Sequence, residues 1–113
     1  MKLQEAAQEL NIYVGDDDQW SGGPLYAAVV ERLKATGLAG ASVYKGVEGY
    51  GSHGRVHSTR VEVLFEGLPV LIRVVDVPDR ISAALSSLDE ILTDALVTVK
   101  DVTAIRYIKS PKS

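Results

Sequence analysis

An apolar stripe in the C-terminal half of the sequence constrains the fold more than any other feature. Pro78 suits the first turn of a helix, where its missing N–H group costs nothing. Apolar residues then recur at helical spacing along one side only: Ile81, Ala84, Leu85, Leu88, Ile91 and Leu92. The residues Thr93–Ala95 are predicted to end this helix. Because a helix that is apolar on one side must cover another layer, we expect it to pack on a sheet.

The rest of the chain supplies the strands of that sheet and one more helix. Residues 10–14 alternate between apolar and other side chains, as in a strand, and a helix is predicted from Pro24 to Gly37. Further strands are predicted at 41–47, 61–65, 70–75 and 96–107, the last with an irregularity at Lys100-Asp101. The predicted order is therefore strand, helix, three strands, helix, strand.

Each of the two predicted helices is apolar on one side only. This pattern indicates an α+β domain in which one antiparallel sheet carries both helices on the same face, the ferredoxin-like split βαβ arrangement. The other face would carry Val, Leu, Ile and Tyr side chains without cover inside the chain, which predicts oligomerisation. We expect one domain over residues 1–113, with a core at 9–108 and flexible ends at 1–8 and 109–113.

Composition and charge exclude several classes of protein. The net charge is −3 and the pI is about 5.3, whereas binding to nucleic acid needs a clustered basic face. There is no cysteine, which excludes disulfides, thiolate metal sites and a Cys nucleophile. No apolar run approaches the roughly 20 residues that cross a bilayer, and the start of the chain lacks signal-peptide features. We therefore expect a cytoplasmic protein with no nucleic-acid partner and no direct membrane insertion.

The segment Lys45–Arg60 is the stretch that core formation does not explain. It holds four glycines, both histidines of the chain and three basic residues, and it lies between two predicted strands. Glycine lets the backbone approach a ligand closely, and Arg, Lys and exposed N–H groups suit anionic oxygens. If the protein binds a small anionic effector, the site is predicted around this segment.

Five short motifs also follow one another along the chain. They are Gly15, the helix start Gly23-Pro24-Leu25-Tyr26, residues 37–41 (GLAGA), residues 45–51 (KGVEGYG) and residues 96–102 (LVTVKDV). In this order they resemble the PII-like family known as domain of unknown function 190. The likeness extends from about Leu10 to Tyr107. More distantly, the layout is similar to that of the PII signalling proteins.

The resemblance implies a PII-like homotrimer, with a dimer as the alternative, that regulates a partner and is not an enzyme. PII proteins bind adenine nucleotides in clefts between subunits and contact targets through a long loop after the second strand. Gly49-Tyr50-Gly51 would lie at the base of that loop, and Ser52–Thr59 would form its tip or ascending arm. The implied partner is an unknown protein target, with a membrane transporter as one candidate, contacted through residues 49–59.

The same resemblance implies a candidate effector site. PII proteins have a glycine-rich phosphate loop ending in a lysine where this chain has Thr93–Leu96; only Asp94 matches, and the flanking glycines and the lysine are absent. Arg55, His57 and Arg60 are candidates for the compensating charge. An adenine nucleotide is the candidate effector, and no other cofactor is expected. The candidate effector-binding residues are Lys45, Gly49, Tyr50, Gly51, Arg55, His57, Arg60 and Asp94.

Other interpretations of these residue types stay open. His53 and His57 are four apart, but the glycines argue against the helix that would pair them, so no metal site is predicted. Asp16–Asp18 could attract a cation, but a solvated loop that holds its acids near a helix start is the preferred explanation. No Ser-His-Asp order or Walker-type motif occurs, so no catalytic residue is predicted. The alternative to a regulator is a structural or docking module of the same fold that binds no ligand.

Overall fold

The computed structural model describes residues 1–46 and 67–109, and the long elements follow the predicted order. The strands are β1 (Lys2–Gly15), β2 (Gln19–Trp20), β3 (Gly23–Pro24), β4 (Ser42–Lys45), β5 (Pro69–Asp76) and β6 (Leu96–Tyr107). The helices are α1 (Leu25–Ala35) and α2 (Pro78–Leu88). The strand predicted at 61–65 lies outside the described residues. Neither described helix is long and apolar enough to cross a membrane.

Four strands form one antiparallel sheet in the order β4-β5-β1-β6. The central pair is β1 and β5, with Val14 opposite Val70 and Leu10 opposite Val74. In sequence, α1 lies between β1 and β4, and α2 lies between β5 and β6. This order and these connections are the ferredoxin-like split βαβ fold, so the predicted fold class is confirmed.

The hydrophobic core lies between one face of the sheet and both helices. Alternate residues of β1 and β5 point to this face because successive side chains in a strand point to opposite sides. The buried set comprises Leu10, Ile12, Val14, Val70, Ile72 and Val74 from the sheet, Leu25, Val29 and Leu33 from α1, and Ile81, Ala84, Leu88 and Ile91 from α2 and the turn after it. Both helices therefore cover the same face, as predicted.

A two-strand hairpin that the sequence did not predict leads into the first helix. Trp20 pairs with Gly23 across a turn in which Ser21 has φ 50° and Gly22 has φ 87°. Positive φ at both central residues defines the type I′ turn, which matches the twist of a two-residue hairpin. At the other end of α1, Gly37 has φ 85°, which confirms the glycine predicted to end this helix.

The ends of β1 and β6 differ from the prediction. Residues 2–8, predicted as a flexible end, belong to β1, and residues 2–7 pair with 102–107 of β6 as a two-stranded ribbon beyond the end of β5. The irregularity predicted at Lys100-Asp101 is absent, because the register of β6 on β1 is unbroken from Tyr107 to Leu96. Both charged side chains are exposed on an edge strand, where charge is compatible with regular pairing.

The second helix also ends earlier than predicted. Regular helix stops at Leu88, whereas the apolar stripe continues to Leu92. The backbone N–H groups of Ile91 and Leu92 both donate to the carbonyl oxygen of Leu88 at 3.0 Å. This turn returns Ile91 to the core, where its side chain is 2% exposed. The stripe therefore reports burial correctly and overstates the length of the helix.

The sheet face away from the helices is only partly apolar. Its apolar residues are of the predicted types, and they include Tyr13, Tyr44, Leu71, Val75 and Leu96. Its centre is charged and polar, with Glu9, Asn11, Arg73 and Lys100 in neighbouring positions of β1, β5 and β6. The centre of this face therefore differs from the prediction of Val, Leu, Ile and Tyr side chains. These polar residues alternate with the core residues of the same strands.

Truncating Ile91 tests whether the turn after α2 is part of the core. We expect Ile91→Ala to lower the free energy of unfolding by about 2–4 kcal/mol, because it leaves a cavity in a closed core. Chemical denaturation measures this change. Ser82→Ala, at an exposed position of α2, is the matched control and should have little effect. Equal small effects of both substitutions would show that the turn does not seal the core.

Candidate functional site

Two of the residues predicted for the effector site lie in the described part of the chain. Lys45 is the last residue of β4, and Asp94 lies in the exposed turn between α2 and β6. The other predicted site residues lie outside the described residues: Gly49, Tyr50, Gly51, Arg55, His57 and Arg60.

Lys45 is directed toward the helix layer. Its Nζ atom lies 5.2 Å from the centre of the Tyr26 ring on α1, which is a cation–π distance. The next residue, Gly46, donates its backbone N–H to the carbonyl oxygen of Pro69 at 2.8 Å. A Cβ atom at Gly46 would lie 2.6 Å from the Pro69 Cγ atom, so this glycine is required by packing. One of the four glycines in the predicted segment thus has a structural explanation.

Lys45 and Asp94 lie at the same end of the sheet but at opposite edges. Lys45 is opposite Val70 on β5, Val70 is opposite Val14 on β1, and the neighbouring Tyr13 is opposite Leu96 on β6. Three strand spacings separate the two edges by about 14 Å. One chain therefore does not bring Lys45 and Asp94 together across the sheet.

A concave cleft lies at the other end of the sheet, and the sequence did not predict it. It has a volume of about 530 Å³ and lies where the β1–β6 ribbon continues past the end of β5. Its apolar lining includes Ala7, Val75 and Ala104. Arg80 from α2 and Arg106 from β6 also line it, with Glu5 and Asp76. This volume is within the range of small-molecule sites, and the guanidinium groups can donate to oxyanions.

Asp76 holds the parts of the cleft together. Its side chain is 7% exposed, and its carboxylate accepts the backbone N–H of Val77 at 2.7 Å and that of Ala39 at 3.2 Å. The Arg80 Nη1 atom lies 3.9 Å from the same carboxylate. These contacts tie the end of β5, the start of α2 and the loop before β4 to one another. The Arg106 guanidinium, in contrast, has no ion pair or hydrogen bond within residues 1–46 and 67–109.

Only part of this cleft is signalled in the sequence. Asp76 and Arg80 are four residues apart at a helix start, a spacing that is readable from the sequence. Arg106 joins them only because the ribbon extends β1 and β6 past β5. Since residues 2–8 were predicted to be flexible, the cleft could not be predicted.

The acidic turn after β1 has a structural role. The Asp16 carboxylate accepts the backbone N–H of Leu68 at 2.8 Å, and the Asp18 carboxylate accepts that of Gly15 at 2.8 Å. Gly67, with φ 78°, leaves room for the Asp16 and Asp17 carboxylates. In the parts of the chain that the structure describes, no three His, Cys, Asp or Glu side chains form a group that could hold a metal ion.

The polar centre of the open sheet face is a connected network. Asn11 is 5% exposed; its Nδ2 donates to the Glu9 carboxylate at 2.9 Å, and its Oδ1 accepts from Arg73 Nε at 2.8 Å. The Glu9 carboxylate also lies 3.5 Å from Lys100 Nζ and 3.6 Å from Arg73 Nε. The Arg73 Cζ atom lies over the Tyr44 ring, 5.8 Å from its centre, which is a cation–π distance.

This network lowers the pKa of Glu9. The Asn11 hydrogen bond is the largest cause; burial acts in the opposite direction, and Lys100 and Arg73 then add to the lowering. Because the folded-state pKa is below the ordinary value of 4.5, the stabilisation is fully present above that pH. It is lost as the pH falls through the folded-state pKa.

A Glu9→Gln variant tests this linkage. We expect the difference in unfolding free energy between wild type and variant to be largest near neutral pH and to shrink as the pH falls below 4.5. Chemical denaturation across this pH range gives the difference. In an Asn11→Ala background the pH-dependent part should be smaller, because the amide donor is gone. A difference that stays constant with pH would show that Glu9 titrates alike in the folded and unfolded states.

Solved structures define the class of this fold. The chain matches CPII, a nitrogen regulatory PII-like protein from Thiomonas intermedia K12 bound to ADP, AMP and bicarbonate, with TM-score 0.66 and 16% identity, covering 94% of this chain and 100% of that one. It also matches a candidate PII-like signalling protein from Thermus thermophilus, with TM-score 0.62 and 18% identity, covering 89% and 91%. The fold is therefore PII-like.

The sequence assigns the family within that class. Residues 7–104 match the family DUF190, described as Uncharacterized ACR, COG1993, and the chain belongs to this family. A UPF0166 protein of Aquifex aeolicus (strain VF5) is 30% identical over 96 residues, which are 85% of this chain and 90% of that protein. The UPF0166 protein MJ1524 of Methanocaldococcus jannaschii is 35% identical over 96 residues, covering 84% and 88%. The predicted resemblance is confirmed.

Proposed function

We propose that this protein is a non-enzymatic PII-like regulator that binds an adenine nucleotide through the cleft of Arg80 and Arg106. The observation that carries the proposal is the cleft itself, about 530 Å³ with two arginines at a partly apolar surface. Support also comes from the similar fold of CPII, which has been solved with ADP and AMP. Function on the same fold differs between proteins, so the cleft carries the argument and the likeness supports it.

The cleft offers separate contacts for the two ends of a nucleotide. Ala7, Val75 and Ala104 give an apolar surface suited to the flat face of a base. The Arg106 guanidinium, which has no hydrogen bond to any described residue, has donors that suit phosphate oxygens. Arg80 can contribute while it stays near Asp76. Asp76 would position the cleft without touching the ligand, because its own carboxylate is occupied by two backbone amides.

We propose further that the complete site lies between copies of the chain. One end of the sheet carries Lys45 and Asp94, and the arginine cleft lies at the other end. The two ends are about 20 Å apart, because about six residues of extended β5 separate them. In a head-to-tail ring, the end of one copy that carries Lys45 and Asp94 would lie against the arginine cleft of the next copy. The predicted residues Gly49, Tyr50, Gly51, Arg55, His57 and Arg60 would then adjoin the nucleotide, and residues 49–59 would contact the partner protein.

Calorimetry with AMP, ADP and ATP, each with and without Mg²⁺, tests nucleotide binding. We expect binding by the wild type and about tenfold weaker binding by Arg106→Ala, because a charge-assisted hydrogen bond is lost. Lys34→Ala removes an exposed charge on α1 and is the matched control. If no nucleotide binds, the alternative of a docking module without a ligand is favoured.

The assembly is tested separately by analytical ultracentrifugation at micromolar concentration. We expect a homotrimer, because the sheet face away from the helices exposes apolar side chains that a second and third copy would cover. A dimer would keep self-association but change the geometry of the shared site. A monomer would contradict the proposed site between copies.

A further inference from the structure

The centre of the open sheet face carries more positive than negative charge. Arg73 and Lys100 both approach the carboxylate of Glu9, so among residues 1–46 and 67–109 each copy has one positive charge there without an opposite charge beside it. The other described charges on this face, Glu5 and Arg106, lie farther along the ribbon and balance each other in sign. The excess therefore belongs to the central network.

Arg73 is held so that one edge of its guanidinium is available. Its Nε atom donates a hydrogen bond to Asn11, which is itself buried, and the guanidinium lies over the Tyr44 ring at a cation–π distance of 5.8 Å. Its two terminal nitrogens have no hydrogen bond within the described part of the chain, and the side chain is 42% exposed. Two parallel N–H donors in a fixed plane suit a carboxylate or another oxyanion.

Self-association would bring these charges together. The apolar residues around the network, among them Tyr13, Leu71 and Leu96, favour coverage of this face by further copies. Ion pairs between copies cannot neutralise this positive charge, because every copy adds the same excess of Arg73 and Lys100 over Glu9. An uncompensated charge that loses water in an interface is costly unless an opposite charge joins it.

We propose that a multivalent oxyanion binds between copies at Arg73 and Lys100 and promotes their assembly. This inference rests on the proposed self-association, but it is independent of the nucleotide cleft. The ligand is defined by its chemistry: two or more anionic oxygens that can accept from guanidinium and ammonium groups of different copies. Inorganic sulfate and a polycarboxylate such as citrate both have this chemistry.

Sedimentation velocity over a dilution series tests the proposal, with urea added if dilution alone does not dissociate the assembly. Sodium chloride is compared with low-millimolar sulfate and with low-millimolar citrate at equal ionic strength, so that general screening is constant. We expect either oxyanion to tighten assembly about tenfold, and Arg73→Gln to abolish this effect. Preference for citrate over sulfate would indicate a carboxylate ligand, and the reverse an inorganic anion; either supports the site.

Two more variants separate this site from general effects of charge. Glu9→Gln adds to the positive excess and should make assembly depend more steeply on the oxyanion. Lys34→Gln removes one positive charge from the helix layer and should respond as the wild type does. Assembly that is insensitive to both oxyanions would overturn the inference, as would an effect that persists in Arg73→Gln but disappears in Arg106→Gln. A monomer under every condition would overturn the proposed assembly as well.

Discussion

The two-residue alternation of β1 is the constraint on which the rest of the structure depends. Leu10, Ile12 and Val14 point to one face and form the floor of the core beneath both helices. Glu9 and Asn11 point to the other face and organise its polar network. Since a shift of one residue would exchange these two sets, the register of β1 on β5 and β6 fixes the core and the open face together.

The same strand also creates the cleft, because it is longer than its neighbour on one side. β5 ends opposite Gln8, while β1 continues to Lys2, and among the described strands β6 alone pairs with this extension. The exposed side of this ribbon, the end of β5 and the start of α2 then enclose a concave surface. Asp76 stabilises this junction through backbone amides from two other segments, so the cleft is formed by contacts that also end the sheet.

Prediction from the sequence succeeded where local periodicity reflects burial. The stripe from Ile81 to Ile91 identified core residues correctly, although Ile91 reaches the core through a turn rather than a helix. It failed for residues 2–8, which have little apolar alternation and become a strand through pairing with residues 101–107. The candidate site shows the same difference: Lys45 was named from a local motif and Asp94 from the family resemblance, whereas Arg80 and Arg106 line one cleft only in the folded chain.

The sequence by itself determined the fold class and the family, because helical and strand periodicities and turn glycines are local properties. Gly37 with its positive φ is one example, and the buried alternation of β5 is another. Tertiary structure decided which charged residues meet. Glu9 and Lys100 are far apart in the sequence. The Lys100 Nζ atom nevertheless lies 3.5 Å from the Glu9 carboxylate, because β6 pairs with β1. The spacing of charged residues along the sequence does not identify their partners. Strand order and register decide which charged residues form pairs.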